Sequence, residues 1–304
     1  MKLASVNVDL DEIPNYFAIH GLEPSGEGLH AVYDIAVARM VEWACAMKLP
    51  LTLFTVADDL KRPENALRLA GAARLGHELA SHTLGHRYDL VRLDRADMGE
   101  QVEEAARALA RVTGERPAGF RAPGYTFTGE LAGVLREVGH VYDSSVFGCP
   151  AYYCAKAAVL ALYGALGRPS RSIRGSPEVL LAPRSPYRLG EPYWREGTGL
   201  VELPIQVTPG LRIPIIGTNV TLWGERFARK AVRACAADPL FNFELHGIDF
   251  LDADYSLAML RPHQPDVRVP VARKLDALSS VVLELREQGR SFVRLDEAAQ
   301  RLFA

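Results

Sequence analysis

The stretch GHELASHTLGH, residues 76–86, holds three of the chain's eight histidines. His82 and His86 stand four apart, so on a turn of helix both imidazoles would point the same way. Two imidazoles invite a metal ion, and a carboxylate is a frequent third ligand. The segment VDLDE offers Asp9 and Asp11, two apart and on one face if the strand continues that far. One carboxylate with two imidazoles suits Zn²⁺ or another borderline divalent ion and leaves positions for water and substrate. The spare carboxylate, Asp9, can then take a proton from water acidified by the ion. Cleaving an amide also requires a proton for the leaving amine, and FELHG supplies His246 at the end of a late strand-like run. Arg121 in GFRAPGY can pair with Asp9 and hold its charge and orientation. The turn around Tyr125 can offer a backbone N–H to a developing oxyanion.

These residues lie far apart in the chain, so the fold must gather strand ends. The runs LASVNVD, LPLTLFTV, HELASH, AGFRAP, HVYDSSVF, GLVELPIQV, LFNFELH and SFVRL read as strands. Helical patterns separate them. EGLHAVYDIAVARMVEWACAMK keeps an amphipathic rhythm, and RADMGEQVEEAARALARVTG opens acidic and stops at Gly114. VPVARKLDALSSVVLELREQG behaves likewise. The alternation predicts a parallel sheet covered by helices, and seven or eight units predict an irregular α/β barrel forming one domain over residues 1–304. Barrel chemistry sits at the C-terminal strand ends, where these candidates fall. Residues 149–196 break the rhythm. An apolar helix of about a dozen residues precedes a basic, proline-punctuated stretch with Arg168, Arg171, Arg174, Arg184 and Arg188. It reads as an insertion at the barrel mouth, and its apolar face followed by arginines suits contact with lipid headgroups.

The bulk numbers narrow the class. The chain has 304 residues, 48% of them hydrophobic and 24% charged, with a formal net charge of −2. That charge gives no global attraction to nucleic acid, so no nucleic-acid partner is expected. No apolar run reaches about 18 residues and MKLASVNVDLDEIPNY has no signal-peptide pattern, so a cytoplasmic location is expected, with peripheral contact at the inner membrane face through residues 149–196. Cys45, Cys149, Cys154 and Cys235 are spaced too widely for a disulfide framework. Nothing in the sequence sets an oligomeric state.

Taken in order, the motifs resemble the polysaccharide deacetylases of carbohydrate esterase family four, the NodB-homology fold. The paired acids of VDLDE match that family's first motif, with a one-residue gap where adjacent aspartates are usual. HTLGH (His82, Thr83, His86) resembles its second motif and RAPGY (Arg121, Pro123, Tyr125) its third. FELHG resembles the last, and YDSS (Asp143 to Ser145) also recurs in the family. Trp194 in EPYWREG and Glu202 in LVELPI are both candidates for the fourth. The resemblance spans most of residues 1–148 and 197–304. It implies Asp9 as base, Asp11, His82 and His86 as metal ligands, and His246 as acid. It implies hydrolysis of an N-acyl group, usually acetyl, from an aminosugar, here a nucleotide- or lipid-linked one. The alternatives are a deformylase or cyclic-amide hydrolase on the same site, or a barrel that binds carbohydrate or lipid without chemistry. A zincin protease is disfavoured, because HTLGH lacks the glutamate next to its first histidine.

Overall fold

A computed structural model describes residues 2–167, 170–254 and 257–304. Strand β1 (Leu3–Asp9) is buried at every residue, as a parallel strand covered on both faces must be. The other strands are β2 (Leu51–Thr55), β3 (Glu78–Ser81), β4 (Gly119–Phe120), β5 (Tyr142–Asp143), β6 (Tyr187–Leu189), β7 (Glu196–Glu202), β8 (Leu240–His246) and β9 (Ser291–Phe292). They form one curled sheet in the order β6-β7-β5-β4-β3-β2-β1-β8, with β9 paired to the start of β1. All pairs are parallel except β6 with β7. The helices are α1 (Ile13–Ile19), α2 (Val37–Ala46), α3 (Pro63–Arg74), α4 (Arg95–Thr113), α5 (Gly129–Val138), α6 (Pro150–Ala165), α7 (Gly217–Ala234), α8 (Val271–Glu287) and α9 (Leu295–Phe303).

The expected irregular barrel is the fold found, and its irregularity is a seam. No ladder joins β7 to β8 among the described residues. Instead the Gln206 N–H donates to the Asn242 carbonyl at 3.1 Å, and the Asn242 amide donates to the carbonyls of Leu203 and Pro204 at 2.7 and 3.1 Å. Strand register divides the two faces. Val6, Val8, Leu53, Phe243 and Leu245 pack with helix residues such as Met40, Trp43, Leu278 and Val281 in the main apolar core. Ser5, Asn7 and Asp9 pair across the ladder with Asn242, Glu244 and His246, and alternate with those core residues. The barrel interior is therefore polar.

Local chemistry accounts for where elements start and stop. Asp94 accepts from the Asp97 N–H at 2.9 Å to open α4, and Gly114 ends it at a φ of 83° that favours glycine. The helix expected from residue 27 begins differently. A 3₁₀ turn (Gly28–His30) and a π turn (Val32–Ala36) precede α2, because the Glu12 carboxylate takes the Val32 and Tyr33 N–H groups at 3.1 and 3.4 Å. Glu12 is thereby a structural anchor, and burial pushes its carboxyl up to about 8. The runs AGFRAP and HVYDSSVF shrink to the two-residue strands β4 and β5. Past that point side chains take over: the Ser145 hydroxyl accepts from the Ala122 N–H, and the Asp143 carboxylate accepts from the Ser145 N–H.

Residues 149–196 are only in part an appendage. Their end is built into the sheet, with β6 paired to β7 and Tyr187, Leu189 and Tyr193 in a second core with Phe127, Leu131 and Leu200. Two of the arginines are spent inside the chain: Arg184 bonds Asp238 at 2.7 and 2.5 Å, and Arg188 donates to the Phe303 carbonyl at 3.1 Å. Arg168 lies outside the described residues. The four cysteines are free thiols. Among the described residues no helix is long and apolar enough to cross a membrane.

Candidate functional site

The strand ends gather the sequence candidates as their spacing requires. Register sets Asp9 beside His246 across β1 and β8, and beside Phe54 across β1 and β2. Asp11 follows in the loop before α1, and β3 delivers His82 immediately past its end. His82 and His86 do not lie on a helical turn. Residues 82–86 form a loop in which Thr83 (φ 70°) and His86 (φ 52°) adopt the left-handed conformation. The loop is pulled into this shape by the Ala57 and Asp58 N–H groups, which donate to the carbonyls of Thr83 and Leu84 at 3.0 and 2.8 Å. Such φ values cost energy in residues with a side chain, so the surrounding bonds must hold them. The result still brings the rings together, with centroids 4.9 Å apart.

The ligand atoms converge. Nε2 of His82 lies 3.2 Å, and Nε2 of His86 3.0 Å, from Oδ1 of Asp11. All three residues are buried, and Oδ1 of Asp11 and both ring nitrogens of His86 have no hydrogen-bond partner in the described chain. Buried polar atoms left open in this way call for a ligand. Nδ1 of His82 is 2.8 Å from the Arg121 carbonyl, which fixes its proton there and turns the Nε2 lone pair to the centre. Burial opposes ionisation of Asp11, yet the two histidines hold its carboxyl well below the usual range. The donor set of one oxygen and two imidazole nitrogens fits a divalent cation.

Around this cluster stand two charge pairs. Nη1 of Arg121 donates to Oδ1 of Asp9 at 2.6 Å. Arg121 is itself fully buried, with Nε and Nη2 donating to the carbonyl and hydroxyl of Ser144 at 2.8 Å and its guanidinium 4.0 Å from the Phe54 ring centroid. Each of its three nitrogens has a partner, which fixes the guanidinium and with it the carboxylate it holds. Oδ2 of Asp9 is left facing the cluster, 3.9 Å from Nε2 of His82. Opposite, Nδ1 of His246 lies 3.0 Å from Oε1 of Glu244, and Nε2 lies 4.0 Å from Oδ2 of Asp11. Burial disfavours the imidazolium, but Glu244, Asp9 and Asp11 together hold its pKa well above the ordinary value. The Tyr125 hydroxyl donates to Oε1 of Glu244 at 2.9 Å. Of the backbone N–H groups in the turn expected to face an oxyanion, that of Tyr125 itself already donates to the Ala122 carbonyl at 3.1 Å. Tyr125 thus acts here through its phenol.

A cavity of about 370 Å³ opens over these groups. Asp9, Asp11, His82, Tyr125 and His246 line it, and so do residues the sequence did not single out: Tyr16, Tyr88, Ile216, Asn219, Gln264 and the inner face of α6. Tyr88 packs edge-on against His86, with centroids 4.8 Å apart. Only its position two past a ligand could have pointed to it. Neither Trp194 nor Glu202 reaches the cavity. Trp194 packs on Tyr193, and Glu202 is buried where it accepts from the Val146 N–H at 3.0 Å. His77 accepts from the Leu51 N–H, and His20 bridges Tyr163 and Gln264 at the rim.

Residues 37–142, which hold both histidines and the RAPGY turn, match the family model described as polysaccharide deacetylase. No curated protein matches the chain significantly. Among solved structures, a probable polysaccharide deacetylase from Pseudomonas aeruginosa PAO1 is similar, with a TM-score of 0.60 and 17% identity over 98% of this chain and 89% of that one. The Puue allantoinase gives 0.59 and 18% over 98% and 89%. The Xyl-CE4 domain of a multidomain xylanase from the hindgut metagenome of Trinervitermes trinervoides gives 0.51 and 13% over 99% and 90%. The segment carrying the histidine pair and the arginine turn thus matches the polysaccharide deacetylase family, and the whole chain has the NodB-type barrel fold of those proteins.

Proposed function

We propose that the protein is a metal-dependent hydrolase that removes an N-acyl group, acetyl in the first instance, from an aminosugar. The observation that carries this reading is the convergence, at one end of one barrel, of an open Asp11–His82–His86 cluster between an Arg121-held Asp9 and a Glu244-held His246. Asp11, His82 and His86 would hold a divalent ion, zinc in the first instance, and the ion would supply Lewis acidity to an acyl oxygen and to water. Asp9 accepts the proton of the attacking water at Oδ2, because Arg121 occupies Oδ1. His246 carries a proton at Nε2 while Glu244 holds Nδ1, and it delivers that proton to the departing amine nitrogen. Tyr125 and Glu244 orient His246 from behind.

A cyclic-amide hydrolase is a second reading, supported by a fold likeness to an allantoinase about equal to that to a deacetylase. A deformylase would use the same atoms. The base and the acid are both present, which weighs against a binding-only barrel. A nucleotide- or lipid-linked aminosugar and a cytoplasmic location remain parts of this proposal. The test is a mass-spectrometric screen for acyl loss over acetylated and formylated aminosugars and cyclic amides, with and without added Zn²⁺. Metal-dependent acetate release from an aminosugar is expected. Ring opening alone would replace the reading with the second one.

A further inference from the structure

Helix α6 forms the roof of the cavity. Tyr152, Lys156, Leu160 and Tyr163 recur on one face of it, and the first three line the cavity while Tyr163 meets His20. Tyr152 stacks against Tyr125 and Phe147, with centroids 5.5 and 5.0 Å away, which seats the helix. Between these aromatic and aliphatic residues stands one cation. Among the described residues, Lys156 is the only lysine or arginine lining the cavity. Its ammonium donates to the Gly124 carbonyl at 2.9 Å and sits 5.8 Å from the Tyr152 ring centroid. No Asp or Glu among the described residues forms an ion pair with it. Burial pushes its ammonium down to about 8, so at neutral pH it is mostly charged.

A half-buried ammonium has three donors, and among the described residues the chain satisfies one. Holding a cation in apolar surroundings is costly unless an anion answers it. A methionine in the same place would pack the roof without that cost. The same cavity is lined by the Asp9 and Asp11 carboxylates, so away from the proposed ion and His246 it is Lys156 that offers a negatively charged ligand group a favourable place.

We propose that Lys156 forms an anion subsite above the metal cluster, so that the substrate carries a phosphate or carboxylate beside its N-acyl group. This inference rests on the hydrolase reading for the word substrate, and on the cavity alone for the subsite. It narrows the substrate class from aminosugars in general to anionic ones.

The test is equilibrium binding by titration calorimetry, which needs no turnover. The probes are N-acetylglucosamine, its anomeric phosphate ester, and N-acetylmuramic acid, whose carboxylate separates the two anion types. A charge-assisted bond to a lysine predicts at least about tenfold tighter binding of one or both anionic probes than of the neutral sugar. Lys156→Met should erase that preference and Lys156→Arg should keep most of it. An anion preference that survives Lys156→Met would come from the metal cluster or elsewhere, and would overturn the proposal. So would a wild-type protein indifferent to charge, a result that needs no variant. Should Lys156→Met fail to fold by its thermal melt, Lys156→Gln takes its place. A Lys156-dependent preference without acyl release from any compound would uphold the subsite and reject the hydrolase, and acyl release without the preference would do the reverse.

Discussion

The floor of the cavity and its roof are built on opposite principles. On the floor, Asp9, Arg121, Ser144 and Asn242 are buried and bonded to one another or to the backbone of facing strands, and buried Glu244 is held by Tyr125 and His246. On the roof, α6 is sixteen residues long and buries none of them fully, and Leu162 and Leu166 are more than half exposed. The floor fixes atoms to within a hydrogen bond, as proton transfer requires. The roof is held by a few contacts, at Tyr152, Lys156 and Tyr163, and presents mostly shape. On the proposed reading, chemistry and selection fall to parts of different rigidity, and substitutions should separate them.

The largest effect belongs to the cluster itself. His82→Ala should abolish metal content and acyl release together, read by elemental analysis beside the activity screen; a variant with full metal would remove His82 from the ligand set. Next come the two proton carriers. Asp9→Asn and His246→Ala should each lower kcat by roughly 10²–10⁴-fold while metal content stays near that of the wild type. Loss of metal from Asp9→Asn would make Asp9 a ligand instead of the base.

Third is Glu244→Gln, one step removed. The cost should be about 10- to 100-fold, the scale of a partner that orients a catalytic group. Its pH signature matters more. Glu244 raises the pKa of His246, so the acid form persists to higher pH with it in place. The alkaline limb of the rate profile should therefore move to lower pH in Glu244→Gln. An unmoved limb would mean that His246 does not set it. The smallest effect is expected on the outer roof. Leu162→Ser should change stability by no more than about 0.5 kcal/mol and leave kcat unchanged, as judged by urea unfolding and steady-state rates. A large loss would show that the exposed face of α6 is covered in the working protein.

The same division governs what could be read from the sequence. Asp9, Asp11, His82, His86, Arg121 and His246 were legible because each sits at the end of a strand-like run, where residue type and position together imply chemistry. Strand alternation also puts Glu244, two before His246, on the same face of β8. The loop shape at 82–86 was not, because neither Thr83 nor His86 is a glycine that would announce a left-handed backbone. The brevity of β4 and β5 was hidden for a similar reason: side chains of Asp143 and Ser145 replace the ladder, and their composition still reads as strand. Lys156 gave no signal, since a lone lysine in an apolar helix looks like a solvated charge until the cavity beneath it is seen.

The three-way pairing of β1 bears on how the site comes into being. Asn7 and Asn242 bond across 235 residues of chain, and β1 pairs with β8 along its whole length. During synthesis the proposed ligands Asp11, His82 and His86 all emerge within the first third of the chain, long before His246 exists. The Asp11–His82–His86 cluster can assemble on β1, β2 and β3, but His246, the proposed acid, joins only when the carboxy-terminal third returns to pair β8 with β1. That closure spans almost the entire chain, and such distant contacts make folding slow. Until it is complete, β1 presents an unpaired edge that a second nascent chain could occupy.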